Sequence, residues 1–461
     1  MQRRSYISDY MELPKRIHLD ENTEITGELI KRLLDNHQEN IERYEKLQDY
    51  YKGKTIIFDR LKDPKYSNNR LTFDYAGYIV DTLLGLFVGK PITYTSNAEN
   101  DQYMANLQAI FDSNDESDEN TELAKMMGIN GRAYEIVYTD ESGDICFNEI
   151  LPQNIIFVYD NKIKPQPLFA LYIQQGTFDQ EDDNTIVAYT KSEIITYKTQ
   201  GGKYTEETRT PHAFGDVPVI EFMNNDEGIG DFEKVIHIID EYNLLQSDTA
   251  NDFEEFTNAI LCLYGLLGTT DEDKQRIYED RLLLLDADAG QDAKYLIKEI
   301  NDTALAGYKA TLEESIHKFA KVPNMSDEHF AGNVSGEAMK FKLFTTDQAI
   351  AQKQRKFKTA LTQRLYLITN VMRLKAQAGG DYKDIQINFN KNTPYNELDN
   401  ALLVKTLLDT GASRQLAFSK LRDLDDIGEE LRLQDEEKDP YADYQDQQPL
   451  QNMQELTDDE E

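Results

Sequence analysis

The chain has 461 residues, enough for roughly two to four modules with real hydrophobic cores. Its 49 lysines and arginines face 85 acids, a formal charge of −36. That balance excludes an ordinary basic nucleic-acid surface or a face for anionic membranes.

The opening MQRRSYISDYMELPKR has no apolar run and does not read as a signal peptide. No stretch approaches the ~18 apolar residues of a transmembrane helix, so no membrane partner is expected. Cys146 and Cys262 lie far apart and in no ligand spacing, which predicts free thiols in a reducing compartment.

The first helix is predicted over 26–51, where Ile30, Leu33, Leu34, Ile41, Tyr44 and Leu47 recur at helical spacing and Gly53 closes the run. A second covers 74–88 and stops at GKPI, and a short acidic third lies near 101–112. The charge run DSNDESDEN that follows reads as a solvated loop. From about 132 the period changes to two. AYEIVYT, the turn DESG and DICFNEI form a hairpin with Tyr134, Ile136 and Tyr138 on one face. NIIFVYD, PLFALYIQ, TIVAYT and EIITYKT extend an antiparallel β segment, with TQGGKYTEETRT turning within it, so the class is α+β.

VPVIEFM and the glycine-bearing turn NNDEGIGD lead into a helix over 231–260, with Val235, Ile238, Ile239, Tyr242, Leu245, Phe253, Phe256 and Ile260 at helical spacing. Residues 261–300 are mixed: apolar LCLYGLLG, a short acidic helix TDEDKQRIYED, strand-like LLLLD and the turn DADAGQD. A helix over 303–321 follows, then the polar stretch VPNMSDEHFAGNV, then a helix from Ser335 to about Ala376. If unbroken, that last helix spans on the order of 60 Å. Residues 331–380 hold nine bases and two acids, a net of +7, which points to a contact between subunits ahead of a DNA contact. A strand DIQINFN and a helical hairpin at 395–432 complete the ordered part. Residues 423–461 carry sixteen acids and two bases, and the last two dozen residues read as disordered.

Catalytic signals are sparse. There is no GxxxxGK[ST], no GxGxxG after a strand, no HExxH and no GxSxG, so no enzyme and no cofactor are expected. The six histidines are scattered, and His237, between Ile236 and Ile238, reads as a satisfied structural histidine. Asp286, Asp288, Gly290 and Asp292 resemble the start of a calcium loop. However, the glycine falls one place early, and Ile297 stands where the bidentate acid belongs, so a turn is expected and no metal. Paired acids at 425–426 and 429–430 leave a metal-dependent phosphodiester enzyme as the rival function, although solvation explains them.

Four stretches together resemble the portal proteins of tailed double-stranded DNA bacteriophages, of the siphophage type found in Gram-positive hosts. They are NNRLTFDYAGYIVDTLLGLFVGKPITY, MGINGRAYEIVYTDESGDICFNEILPQNIIFVYD, VPVIEFMNNDEGIGDFEKVIHIIDEYNLLQSDTANDFEEF and GASRQLAFSKLRDLDDIGEELRLQDEE. Their order and spacing match from about residue 26 to 438. The resemblance implies an α+β portal fold assembling into a ring, with a wing at 1–225, a first stem helix at 226–262 and a clip at 263–301. It further implies a second stem helix at 302–322, a tunnel loop at 323–334, a long spine helix of the wing at 335–378, a crown at 379–438 and an acidic tail at 439–461.

By the same resemblance the partners are further copies of the chain, twelve in the virion, with double-stranded DNA passing through the channel. The terminase large subunit, a neck adaptor and the major capsid and scaffolding proteins complete the set. The location is the capsid portal vertex, reached by assembly in the host cytoplasm. A non-portal minor head or neck protein is the other alternative.

Candidate channel residues are Asn324, Ser326, Asp327, Glu328, His329 and Asn333. Lys321, Lys340 and Lys342 flank the loop and meet either the DNA backbone or acids of a neighbouring subunit. Pro323 is expected to end the second stem helix, and Ser335 to cap the long one with Glu337 in its first turn.

Overall fold

A computed structural model describes residues 16–63, 66–96, 101–174, 185–200, 202–257, 260–264, 282–285, 292–296, 302–325, 336–375, 380–390 and 397–418, with short pieces at 420–421, 430–431 and 433. The chain divides into two compact units. The first comprises residues 1–330 and 342–392, the second 331–341 and 393–461.

The first unit opens with β1 (Ile17–Leu19) and α1 (Gly27–Tyr51). Thr26 caps α1 by accepting a bond from the Leu29 amide at 3.3 Å, and Gly53, at φ +75°, turns the chain away. Then come α2 (Tyr75–Val88), β2 (Thr93–Ser96), α3 (Asp101–Ser113) and α4 (Glu116–Asn130). The α4 helix corrects the reading of DSNDESDEN as a loop. Asp115 turns the chain in the left-handed region, and Glu116, Asp118 and Glu119 then occupy the first helical turn, where the helix dipole favours acids.

The strands are β3 (Arg132–Thr139), β4 (Ile145–Ile150), β5 (Ile155–Asp160), β6 (Pro167–Gln174), β7 (Thr185–Tyr189), β8 (Glu193–Gln200), β9 (Lys203–Pro211) and β10 (Val219–Met223). They form a six-stranded sheet, β1-β5-β6-β7-β8-β9, and a three-stranded sheet, β10-β3-β4. All pairs are antiparallel except β1 with β5, a parallel edge that the alternation did not announce.

Alternation along the strands builds three layers of core. Ile156 and Val158 of β5 pack with Leu29, Ile30 and Leu33 of α1. Ile155, Phe157 and Tyr159 face the other way, onto Tyr134 and Ile136 of β3, joining the two sheets. The opposite face of β3, Ala133 and Val137, packs with the helices. Both faces of β3 are therefore buried, so Tyr134 and Ile136 mark only one of its two inner surfaces.

The chain continues with α5 (Ile236–Thr257), β11 (Ile260–Tyr264), β12 (Leu282–Leu285), β13 (Asp292–Leu296), α6 (Asp302–Ala320), α7 (Gly336–Leu374) and β14 (Ile385–Asn388). Strand β11 is central in its sheet, parallel to β12 and antiparallel to β13. Ile260, expected as the last apolar position of a helix, opens this strand instead. Its pairing with Leu296 is a long-range choice that helical spacing cannot register. The acidic stretch TDEDKQRIYED lies outside the described residues. Strand β14 pairs with β2 in the first unit. Beside it α7 sets Phe357 edge-on to Phe87 at 5.3 Å and close to Phe222 at 4.8 Å.

In the second unit α8 (Glu397–Asp409) turns through Gly411 into α9 (Arg414–Phe418), and Val404 and Ala417 are buried. Among the described residues no helix is long and apolar enough to cross a membrane.

Candidate functional site

Residues 224–233 carry the chain from β10 into α5 and are held from several sides. The Asn224 amide donates to the Ile229 carbonyl and to Asp231, both at 2.9 Å. Arg43 of α1 donates to both oxygens of Glu233 at 2.9 and 2.6 Å, and to the carbonyls of Asn130 and Gly228. Lys353 of α7 pairs with Asp231, both side chains largely buried. Helix α4 ends at Gly131, φ +79°, where an added Cβ would meet the Gly228 carbonyl oxygen at 2.0 Å. Only glycine permits that approach.

Beyond this junction α5 turns a polar face inward. Asn243, Ser247 and Asn251, spaced four apart, are all buried. Asn243 Oδ1 accepts from the Phe73 amide at 2.9 Å, Ser247 Oγ from Leu71 at 2.9 Å and Asn251 Oδ1 from Asn69 at 2.7 Å. Four helical residues rise about 6 Å, close to two residues of extended chain, so each step of four meets every second amide. Arg60 pairs with Asp248 beside this ladder. Phe253, two residues past Asn251, is 62% exposed. His237, expected as a satisfied structural histidine, is exposed on α5. Among the described residues the buried histidine is His37, whose Nε2 lies 3.0 Å from the Gln153 carbonyl, and burial holds its pKa below the usual range.

Helix α6 packs on α5, with the Tyr308 hydroxyl donating to Glu241 at 3.2 Å. Its end differs from the expected proline stop. The helix closes at Ala320 with two bonds, from the Lys321 amide to the Lys318 carbonyl at 3.4 Å and from the Val322 amide to the His317 carbonyl at 3.1 Å. This is the Schellman arrangement, and Lys321 occupies its left-handed position at φ +60°, where glycine is usual. Pro323 lies two residues beyond. The Thr346 hydroxyl of α7 donates to the Lys321 carbonyl at 2.7 Å.

Of the candidate loop residues, Asn324 turns its amide back to Glu313 on α6 at 3.2 Å. Ser326, Asp327, Glu328, His329 and Asn333 lie outside the described residues, as does the expected cap Ser335. Lys340 is the fifth residue of α7, and Lys342 is exposed.

The basic character of α7 is largely answered within the chain. Lys353 pairs with Asp231, Lys356 with Asp226 and Arg373 with Asp381, while Lys358 and Lys375 donate to the carbonyls of Ile387 and Gly143. Arg364, 0% exposed, grips Glu135 through Nε at 2.9 Å and through a second bond from Nη2. It also donates to Asn120 at 2.9 Å and to Glu116 at 3.3 Å, and stacks over Phe147 at 4.5 Å. Arg364 lies inside because the buried carboxylates Glu116 on α4 and Glu135 on β3 need a cation.

At the rim of the same cluster, burial and the neighbouring Glu149 push the Glu119 carboxyl up to about 8. Among the described residues no three His, Cys, Asp or Glu converge as metal ligands. The expected turn at 286–290 and the acids at 425–426 and 429 lie outside the described residues.

The sequence missed Arg364 and the α5 ladder. The ladder's only local signal was Asn-Ser-Asn at a spacing of four, opposite the extended NNRLTF.

The profile of the family described as "Phage portal protein, SPP1 Gp6-like" matches residues 30–443. The chain belongs to that family. A portal protein of Bacillus phage SPP1 is 24% identical over 450 residues, covering 90% of this chain and 87% of the relative. A portal protein of Clostridium phage phiCD119 is 24% identical over 387 residues, covering 78% and 83%. Among solved structures, a chain in the neck of an empty gene transfer agent particle aligns with a TM-score of 0.46 and 13% identity, over 75% of this chain and 89% of that one. One in the native particle's neck, computed with C12 symmetry, aligns at 0.42 and 13%, over 76% and 89%.

Proposed function

We propose that twelve copies of this chain form a ring at one capsid vertex and conduct the phage genome. On this reading the ring docks the terminase large subunit during packaging, then a neck adaptor and the tail, and passes DNA again at ejection. The major capsid and scaffolding proteins surround it as it assembles in the host cytoplasm. The observation that carries the reading is the family match over residues 30–443. The order of elements supports it: two packed helices, α5 and α6, flank the β11–β13 sheet and are followed by a short connection into the long α7.

In this assignment α5 and α6 are the stem, within 226–262 and 302–322, and the β11–β13 region is the clip at 263–301. Residues 323–334 form the tunnel loop. The layers before α5 make the wing (1–225), with α7 as its spine (335–378). The C-terminal segment is the crown (379–438), followed by the acidic tail (439–461).

Charge fits a conduit. A wall that gripped phosphates through many bases would release counterions and bind DNA tightly, whereas passage needs low barriers between successive positions. Twelve chains of −36 each make a weakly attractive or repulsive wall. The ring does no chemistry of its own on this reading, and the motor supplies the energy.

Deleting residues 326–332 tests the assignment in a reconstituted packaging assay. Rings are expected to form as before, while packaging or DNA retention falls. Loss of ring formation would mark the segment as structural, and unchanged packaging would remove the tunnel-loop reading.

A further inference from the structure

We propose that the Tyr78 hydroxyl is the pin that sets where the tunnel loop leaves the stem, an inference that rests on reading 323–334 as that loop. Tyr78 stands in the first turn of α2, and its oxygen lies between two backbone groups of the loop root. It donates to the Pro323 carbonyl at 2.8 Å and accepts from the Met325 amide at 3.0 Å. One hydroxyl can do both, since it has one proton and two lone pairs. It thereby closes the root as a backbone turn would, but from another helix.

The pin is itself firmly mounted. Asp74 caps α2 by accepting from the Gly77 amide at 2.9 Å, and Ile79 and Val80, next to Tyr78, are buried in the core. His317 of α6 meets the Tyr78 ring edge-on at 5.5 Å, which fixes the ring's tilt.

The other contacts of the root come from different elements. Thr346 of α7 holds the Lys321 carbonyl, and Glu313 of α6 holds the Asn324 amide. Three helices, α2, α6 and α7, thus fix residues 321–325. Lys321 holds a left-handed conformation that is unfavourable for a non-glycine residue, and such strain persists only where surrounding contacts determine it. Packing alone does not require a hydroxyl at position 78, since phenylalanine would fill the same space. The two backbone bonds are what the tyrosine adds, and they fall where a loop that contacts moving DNA must be anchored against being dragged.

The test uses rings of the full chain carrying Tyr78→Phe. Rings and the thermal transition are expected to stay close to wild type. Exchange of the Met325 amide should rise about tenfold, the factor that loss of one ordinary hydrogen bond allows. Packaging rate should fall severalfold. Unchanged exchange at Met325 overturns the proposal. So does raised exchange with undiminished packaging in an assay where deletion of 326–332 does impair packaging. If that deletion has no effect, the tunnel-loop reading fails instead, whatever Tyr78→Phe does. Should Tyr78→Phe not fold, Thr346→Val loosens the same root from α7, and the same two readouts decide.

Discussion

Helix α7 carries Arg364 into the core of the first unit, whereas α5 turns Asn243, Ser247 and Asn251 inward and keeps Phe253 62% exposed. The two helices dock by different chemistry. The basic helix satisfies most of its cations inside its own chain, and the helix with regular apolar spacing docks partly through amides and a hydroxyl. The difference teaches where each helix completes its contacts. For α7 the guanidinium and the buried carboxylates are matched within one subunit. On α5 and α6 the apolar side chains of Phe253 and Phe319 are 62% and 56% exposed. The ring we propose would set a neighbouring subunit against Phe319.

The sharpest way to break this comparison is Arg364→Met. It leaves Glu135, also fully buried, without its cation, and loss of one partner of a buried pair costs about 3–5 kcal/mol. Urea unfolding followed by circular dichroism should show the loss, and the double variant with Glu135→Gln should recover part of it. A loss below about 1 kcal/mol would mean that the internal seam does not hold α7.

A smaller effect is expected on the other side. Asn243→Ala strands the Phe73 amide and should destabilise by about 1–3 kcal/mol. Faster hydrogen exchange at Phe73, and then at Leu71, should accompany it. A neutral outcome would show that the ladder is incidental to the docking of α5.

The smallest effect is set by pH. A carboxyl whose folded pKa is raised to about 8 favours the folded state least once both states are deprotonated. Glu119 therefore erodes stability as pH rises from the ordinary carboxylate range through about 8, and its cost is complete above that. Glu119→Gln should match wild type near pH 4 and be the more stable of the two at pH 9. Parallel stability curves for the two proteins would contradict the assigned proton.

Much of this was legible in the sequence because apolar faces are local. The spacing of Ile30, Leu33, Tyr44 and Leu47 located α1, and the alternation from residue 132 located the β layers. What escaped was fixed by distant partners. Glu116 and Asn120 look like part of a solvated acidic run until residue 364 supplies their cation. Ile260 fits a helix until Leu296 of β13 pairs with it. At Lys321 the left-handed turn has no glycine to announce the end of α6, so the sequence alone points to Pro323 as the stop. At the candidate site, the position of the loop root was readable from the two helix patterns, but Tyr78, some 240 residues earlier, was not.

The central claim is that the chain closes into a ring around a passage for DNA. Negative-stain imaging of the purified full-length protein, with light scattering for its mass, tests this most directly. We expect closed rings of about twelve subunits with a central hole, and no magnesium-dependent cleavage of added DNA. A monomer that cleaves DNA, or an assembly without a hole, would contradict the account.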